Sequence, residues 1–136
     1  MIEGVYVLQE WWVGGQQFTQ PQVEGRFVLV DGVAIAILHN RIDAAHRHSA
    51  TLCGRYRLTA QNFAYGYDDA TTITYAEDTI SGSAALPWLG MREFLVEPMQ
   101  DATRVYTGNQ EFIFTRDGFT YAENGSLLRR WQRART

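Results

Sequence analysis

The sequence predicts an all-β protein that folds as an antiparallel up-and-down barrel of about 8–10 strands. Apolar side chains recur at every second position along most of the 136 residues, which is the period of a strand and not of a helix. Asp31-Gly32, Asp117-Gly118 and Asn124-Gly125 each separate two β-rich runs, as tight hairpin turns do. Many short strands in one small chain must protect their edges, and strands joined by successive hairpins can do so by closing into a barrel.

The N-terminal part begins with a long strand and continues with a hairpin. Gly4–Val13 alternates in polarity until Gly14-Gly15 interrupts it. Asp31-Gly32 then joins Arg26–Val30 to Val33–Leu38, because a type I′ turn needs a positive φ at both central residues. The following segment, Asn40–Ala50, has alanines and mixed charges without alternation, so we expect one short helix or ordered loop near residues 40–50.

The segments after residue 50 are rich in β-branched and aromatic residues, and turn signals separate them. The candidate strands are Leu52–Thr59, Asn62–Tyr67 (a strand or an extension of the one before), Thr71–Tyr75, Thr79–Ala84, Gly90–Val96, Thr103–Thr107, Glu111–Thr115, Phe119–Glu123 and Ser126–Gln132. The last three of these form a consecutive meander. We expect residues 1–136 to make a single domain, because the chain has the length of one.

The composition argues against several classes of function. The net charge is −3, whereas a nucleic-acid-binding protein needs clustered positive charge. The chain has no lysine, which removes Schiff-base chemistry and the P-loop. With the single Cys53, no signal-peptide pattern and no apolar run of ~20 residues, we expect a cytoplasmic protein without a membrane partner.

Four segments resemble the lipocalin-like barrels of the calycin superfamily, and in particular small bacterial members. Gly4-Val5-Tyr6 is similar to the Gly-X-Trp start of the opening strand, with tyrosine in place of tryptophan. Gly54–Leu58 and Leu86–Met91 are similar to later parts of these domains, and Leu127–Trp131 resembles the closing strand. The resemblance implies an antiparallel barrel with one closed end and one open end. Many proteins of this group bind small apolar molecules and a minority are enzymes, so the fold alone does not decide the function.

The resemblance also implies how the barrel closes. In lipocalins an arginine of the final strand packs over the ring of the opening motif. Arg129 and Arg130 are the matching candidates in this chain, and the ring would be that of Tyr6 next to Gly4. These four residues are therefore the expected structural closure of the barrel.

Arginines that alternate with aromatic residues are the main candidates for binding a ligand. Arg104-Val105-Tyr106 resembles the Arg-X-Tyr pair with which fatty-acid-binding relatives hold a carboxylate, and two such donors would suit an anionic head group. Trp88, after a proline, would cap the barrel mouth, and one ring of the Trp11-Trp12 pair would face inward. The expected ligand-binding residues are Arg55, Tyr56, Trp88, Arg104, Tyr106 and Trp12.

The function expected from these features is the binding of a small, partly apolar ligand, anionic if the arginines face inward, in the barrel cavity. No cofactor, metal site or catalytic residue is assigned. An enzyme at the open end and a haem-binding barrel on His39 or His48 stay open, as does a structural role with a filled interior. The outward ring of the tryptophan pair would suit a covering loop or the subunit contact of a homodimer. Acid–base candidates for the enzyme are His39, His46, His48, Asp68 and Asp69.

Overall fold

The computed structural model describes residues 2–135, which form a closed antiparallel barrel. Twelve strands make up the sheet: β1 (Gly4–Val13), β2 (Gln16–Phe18), β3 (Val23–Val30), β4 (Val33–Asn40), β5 (His46–Leu58), β6 (Asn62–Ala76), β7 (Thr79–Ala85), β8 (Arg92–Met99), β9 (Ala102–Thr107), β10 (Gln110–Phe114), β11 (Gly118–Glu123) and β12 (Ser126–Arg133). The described residues contain no helix, and hence none long and apolar enough to span a membrane. The predicted all-β class and the predicted barrel are confirmed.

Ten of the strands close the barrel, and the other two lie outside the ring. The order around the barrel is β1-β3-β4-β5-β6-β8-β9-β10-β11-β12, and β12 pairs with β1 to complete the ring. Strand β2 pairs with β1, and β7 pairs with the distal half of β6. Nearly every barrel strand therefore pairs with its neighbours in sequence, as the succession of hairpin turns predicted.

The segment near residues 40–50 contains a loop and the start of a strand. The loop spans residues 41–45, where the Asp43 carboxylate accepts the Ala45 N–H at 2.9 Å, and β5 begins at His46. Pairing with β4 and β6 imposes the strand on His46–Ala50, which has no alternation of its own. The two predicted strands at 62–67 and 71–75 are one strand, β6, because a bulge at Asp68 keeps the ladder continuous.

The hairpin turns follow the sequence signals with one shift. Asp31-Gly32 has φ values of 50° and 80°, and Asn124-Gly125 has 52° and 78°, as type I′ turns require. The third turn consists of residues 116–117, since the Thr115 N–H donates to the Gly118 carbonyl at 2.8 Å. Gly118 is instead the first residue of β11, where an added Cβ would lie 2.0 Å from the Trp131 carbonyl oxygen.

One end of the barrel, here called the closed end, is sealed by Tyr6 and Arg133. Tyr6 is fully buried, and its hydroxyl donates to the Ile2 carbonyl at 2.6 Å. The Arg133 guanidinium lies 4.8 Å from the centre of that ring and donates to the Glu3 carbonyl at 2.7 Å. At Gly4 a Cβ would lie 2.3 Å from Arg133 Nη1, so the glycine makes room for the guanidinium.

The arginine that covers Tyr6 is therefore Arg133, and the expectation of Arg129 or Arg130 is wrong. The reason is the register between β1 and β12, in which Tyr6 lies directly opposite Arg133. Arg130 faces outward, where its Nε donates to the Glu10 carboxylate at 3.0 Å. Arg129 faces inward, but toward the other end of the barrel.

Stability is expected to fall as the pH rises above 10. Burial raises the pKa of Tyr6 from 10.0 to about 12, although Arg133 opposes the shift. Between these values the unfolded chain has lost a proton that the folded chain retains, so the free energy of unfolding decreases with pH. Urea titrations between about pH 9 and about pH 11.5 should show this decline, and Tyr6→Phe should make it shallower. An equally steep decline in the variant would contradict the assignment to Tyr6.

At the bulge between the paired strands β5 and β6, the backbone of β6 leaves no room for a side chain at Gly54. A Cβ there would lie 1.8 Å from the Gly66 carbonyl oxygen and 2.6 Å from the Tyr67 Cα. Gly54→Ala should lower the free energy of unfolding by about 3 kcal/mol, because backbone and not a flexible side chain must move. Gly82→Ala is the matched control in a neighbouring strand, since the nearest atom, Thr72 O, is 3.9 Å away. Equal urea midpoints for the two variants would contradict the close approach of the β6 backbone to Gly54.

Candidate ligand cavity

A cavity of about 250 Å³ lies inside the barrel, on the side of its centre away from the Tyr6–Arg133 seal. This side is here called the open end. Residues of β3–β6, β8 and β10–β12 and of the loop before β8 contribute to its walls. The aromatic members of the wall are Phe27, Tyr65, Tyr67, Trp88, Phe112, Phe119, Tyr121 and Trp131. These eight rings are about half of the lining residues, and they give the cavity an aromatic wall beside its polar groups, as small-molecule sites often have.

Trp88 reaches the cavity from the loop between β7 and β8. Its backbone N–H donates to the Tyr67 carbonyl at 3.0 Å, and its ring lies edge-on to the Tyr67 ring at 4.8 Å. The nearby Leu86 and Leu89 are exposed, with 88% and 105% of their reference areas in solvent. The loop therefore places the Trp88 ring in the cavity wall and leaves its two leucines in solvent.

Arg129 places a buried positive charge in the cavity wall, and the Glu123 carboxylate of the same wall partly balances it. Its Nε is the one buried side-chain nitrogen or oxygen of the described residues that has no hydrogen-bond partner. The guanidinium lies 4.8 Å from the centre of the Trp11 ring and 5.7 Å from that of Tyr121. Burial lowers the pKa of Arg129, yet an arginine remains protonated in proteins, so the charge stays.

A β-bulge in β1 places Trp11 on the inner surface, beside Arg129. The register of β1 against β12 shifts between Leu8 and Glu10, after which Trp11 lies opposite Arg129. An extra residue on one strand reverses which side chains face the interior. Trp12 lies opposite Gln17 of β2 and does not line the cavity, so its assignment to the ligand site is wrong.

A second guanidinium stands at the rim. Arg92 is exposed, and its guanidinium lies 3.8 Å from the centre of the Trp88 ring. Burial raises the pKa of Tyr65 and of Tyr67, and for both hydroxyls Arg92 and Arg129 act in the opposite direction. The two cations therefore lie close to the same pair of tyrosines, which marks this part of the wall as the place where an anion would be stabilised.

The wall also carries one carboxylate. Gln110 Nε2 donates to the Tyr121 hydroxyl at 2.9 Å, and that hydroxyl donates to the Glu123 carboxylate. Burial, and then Glu123, raises the pKa of Tyr121 to about 12, so the hydroxyl stays protonated at neutral pH. Two guanidinium groups and one carboxylate give the lining a net charge of +1.

Three of the predicted ligand residues lie on the outer surface of the barrel. Arg104 Nε donates to the Glu111 carboxylate at 2.6 Å, and its guanidinium lies 3.8 Å from the centre of the Tyr106 ring. The residue between them, Val105, is fully buried, so the alternation turns Arg104 and Tyr106 outward. Arg55 is exposed and forms an ion pair with Asp68. None of the three contributes to the cavity, and their assignment to it is wrong.

Tyr56 faces inward but outside the cavity. It is 6% exposed, and its hydroxyl donates to the carboxylate of Glu3, which precedes the opening strand at the closed end. It packs against Phe63, and neither residue lines the cavity. Tyr56 thus belongs to the packed part of the interior.

The cationic and phenolic groups of the wall were not predicted from the sequence as a set. Tyr65, Tyr67 and Tyr121 line the cavity between Arg92 and Arg129. A signal for two of them is present in Phe-Ala-Tyr-Gly-Tyr at 63–67, where aromatic residues alternate with small ones, as on a buried strand face. Arg129, Trp131 and Arg133 occupy alternate positions of β12 and therefore share one face of the strand. Whether that face is turned inward depends on how β12 aligns with β1.

The histidines lie away from the cavity. His39 Nδ1 is 2.7 Å from Ser49 Oγ, His48 Nδ1 is 3.1 Å from Thr74 Oγ1, and His46 pairs with Asp43 at 3.3 Å. None of them lines the cavity, whose volume is below the range of drug-sized sites, so a porphyrin has no room in it. These observations favour neither the haem-binding alternative nor an enzyme built on these histidines.

Comparison with known proteins gives no further assignment. No family model matches the chain, and no curated protein or solved structure matches it significantly. The function must therefore be argued from the cavity itself.

Proposed function

We propose that the protein binds a small, partly apolar anion in the cavity of its barrel, with Arg129 holding the charged group. The observation that carries the proposal is the buried Arg129 Nε with no hydrogen-bond partner among the described residues. A buried donor without an acceptor costs about 1–3 kcal/mol, and more when it is charged. A carboxylate bound at this position would supply the missing acceptor and the opposite charge together.

Aromatic faces and the Glu123 carboxylate partly stabilise the buried Arg129 cation. The rings of Trp11 and Tyr121 both lie within 6 Å of the Arg129 guanidinium carbon, at 4.8 and 5.7 Å. Such contacts are worth roughly 0.5–2 kcal/mol each, less than a hydrogen-bonded carboxylate in the same place. A ligand carboxylate would therefore stabilise the Arg129 guanidinium further than the rings do.

The closed barrel also supports a kinship with the lipocalin-like barrels. The contact of Arg133 with Tyr6 at the closed end has the form expected from that resemblance, with an arginine of the final strand over the ring of the opening motif. In this proposal the closed end is structural and the open end binds the ligand.

The test is a titration with two small monoanions, phenylacetate and hexanoate, followed by tryptophan fluorescence and by calorimetry. Trp88 and Trp131 line the cavity and should report binding. We expect saturable binding of at least one anion, a loss of about 30-fold or more in Arg129→Gln, and no change in Arg104→Gln. Arg104 is the matched control because it is ion-paired on the outer surface. Failure of both anions to bind, or equal binding by Arg129→Gln, would refute the proposal.

A further inference from the structure

We propose that the ligand is a short aromatic monocarboxylate, whose carboxylate meets Arg129 and whose ring lies between the aromatic walls. This inference rests on the proposed function and adds the size, charge and ring character of the ligand. Each of the three properties follows from a different feature of the cavity.

The size of the ligand follows from the cavity volume. A volume of about 250 Å³ lies just below the range of drug-sized sites, which begins at about 300 Å³. The cavity therefore suits a single ring with a short acidic arm. The rings of Phe119 and Phe114 pack at 4.7 Å toward the closed end, so a long acyl chain could not continue in that direction and would leave part of its length in solvent at the open end.

The charge of the ligand follows from the three ionised groups in the lining. Arg129 and Arg92 contribute two positive charges and Glu123 one negative charge, which leaves +1 to be balanced. A monoanion balances this charge. A phosphate ester with two negative charges would bring an excess charge close to Glu123 in a site of low dielectric constant.

The ring character follows from the geometry of the walls. The Tyr65 ring is tilted by 51° against the Trp88 ring, with 5.5 Å between the ring centres. The Tyr67 ring meets Trp88 edge-on, at 74° and 4.8 Å. Aromatic rings prefer offset-stacked and edge-to-face partners, which this wall offers to a planar ligand. A saturated ring of the same size would fill the space without gaining these contacts.

The experiment compares phenylacetate with four analogues by calorimetry at pH 7.5. These analogues are cyclohexylacetate, which lacks the aromatic ring, phenylacetamide, which lacks the charge, phenyl phosphate, which is a dianion, and laurate, which has a long chain. We expect phenylacetate to bind about twofold to tenfold more tightly than cyclohexylacetate and at least about 30-fold more tightly than phenylacetamide. Phenyl phosphate and laurate should bind more weakly than phenylacetate.

The outcomes separate this inference from the proposed function. Tighter binding of cyclohexylacetate, phenyl phosphate or laurate, each with a loss in Arg129→Gln, would overturn the aromatic monocarboxylate and leave the anion site intact. Equal binding of phenylacetate and phenylacetamide, or no binding of any of the five compounds, would overturn both. Arg104→Gln serves as the control throughout, since its side chain is outside the cavity.

Discussion

Replacing Arg129 by methionine is expected to stabilise the ligand-free protein and to abolish its affinity for small anions. Methionine replaces the aliphatic part of the arginine side chain and removes a buried charge whose Nε has no acceptor among the described residues. Replacing buried charges with apolar residues of similar volume can stabilise a protein by about 1–4 kcal/mol. A residue that lowers the stability of the empty protein and serves the bound one is typical of a functional site.

Urea unfolding and the phenylacetate titration measure the two halves of this prediction on the same variant. Arg104→Met is the matched control, because Arg104 pairs with Glu97 and Glu111 on the outer surface, where such pairs contribute about 0–1 kcal/mol. The control should bind anions normally and be no more stable than the parent. If Arg129→Met proved clearly less stable than the parent, Arg129 would be a structural residue of the core.

Replacing Phe119 by alanine is expected to lower the free energy of unfolding by about 3–5 kcal/mol. Phe119 is 3% exposed and forms the boundary between the cavity and the packed closed end. It contacts five other rings, those of Tyr6, Phe27, Phe112, Phe114 and Trp131. Proteins of this size have a total stability of about 5–15 kcal/mol, so the variant would approach unfolding at moderate temperature.

The measurement is the urea midpoint of Phe119→Ala beside that of Tyr75→Ala. Tyr75 lies on the part of β6 that extends toward β7, where its ring contacts the Arg47 guanidinium at 5.1 Å. Its removal should cost less than about 1 kcal/mol. Similar losses for the two variants would show that the rings around Phe119 are not the centre of the core.

Short-range signals were sufficient for the architecture. The positive φ values at Asp31-Gly32 and Asn124-Gly125 are properties of the residues that occupy the turns, so the hairpins could be located from the sequence. Alternation of apolar side chains likewise located β1, β3 and β4 close to their observed bounds. Hairpins in succession then leave few arrangements other than a closed barrel.

The candidate site was only partly predictable. Trp88 was expected at the barrel mouth, and its ring lies in the cavity wall. Arg104 and Tyr106 were assigned to the interior because of a local Arg-X-Tyr pattern. The residue between them, Val105, is the one that is buried, so both side chains face outward. A shift of one residue in the register of a strand moves each side chain to the other face of the sheet. Which arginine faces the interior therefore depends on the register.

Turn preference and strand alternation act over a few neighbouring residues, so they were enough to predict an antiparallel barrel with aromatic residues to bury. That Arg133 covers Tyr6 and that Arg129 enters the cavity became visible only in the folded barrel. The first outcome depends on how β12 aligns with β1, more than 100 positions away, and the second on which face of β12 is turned inward. That alignment is set by the packing of the whole ring of strands, so it cannot be predicted from Leu127–Trp131 alone.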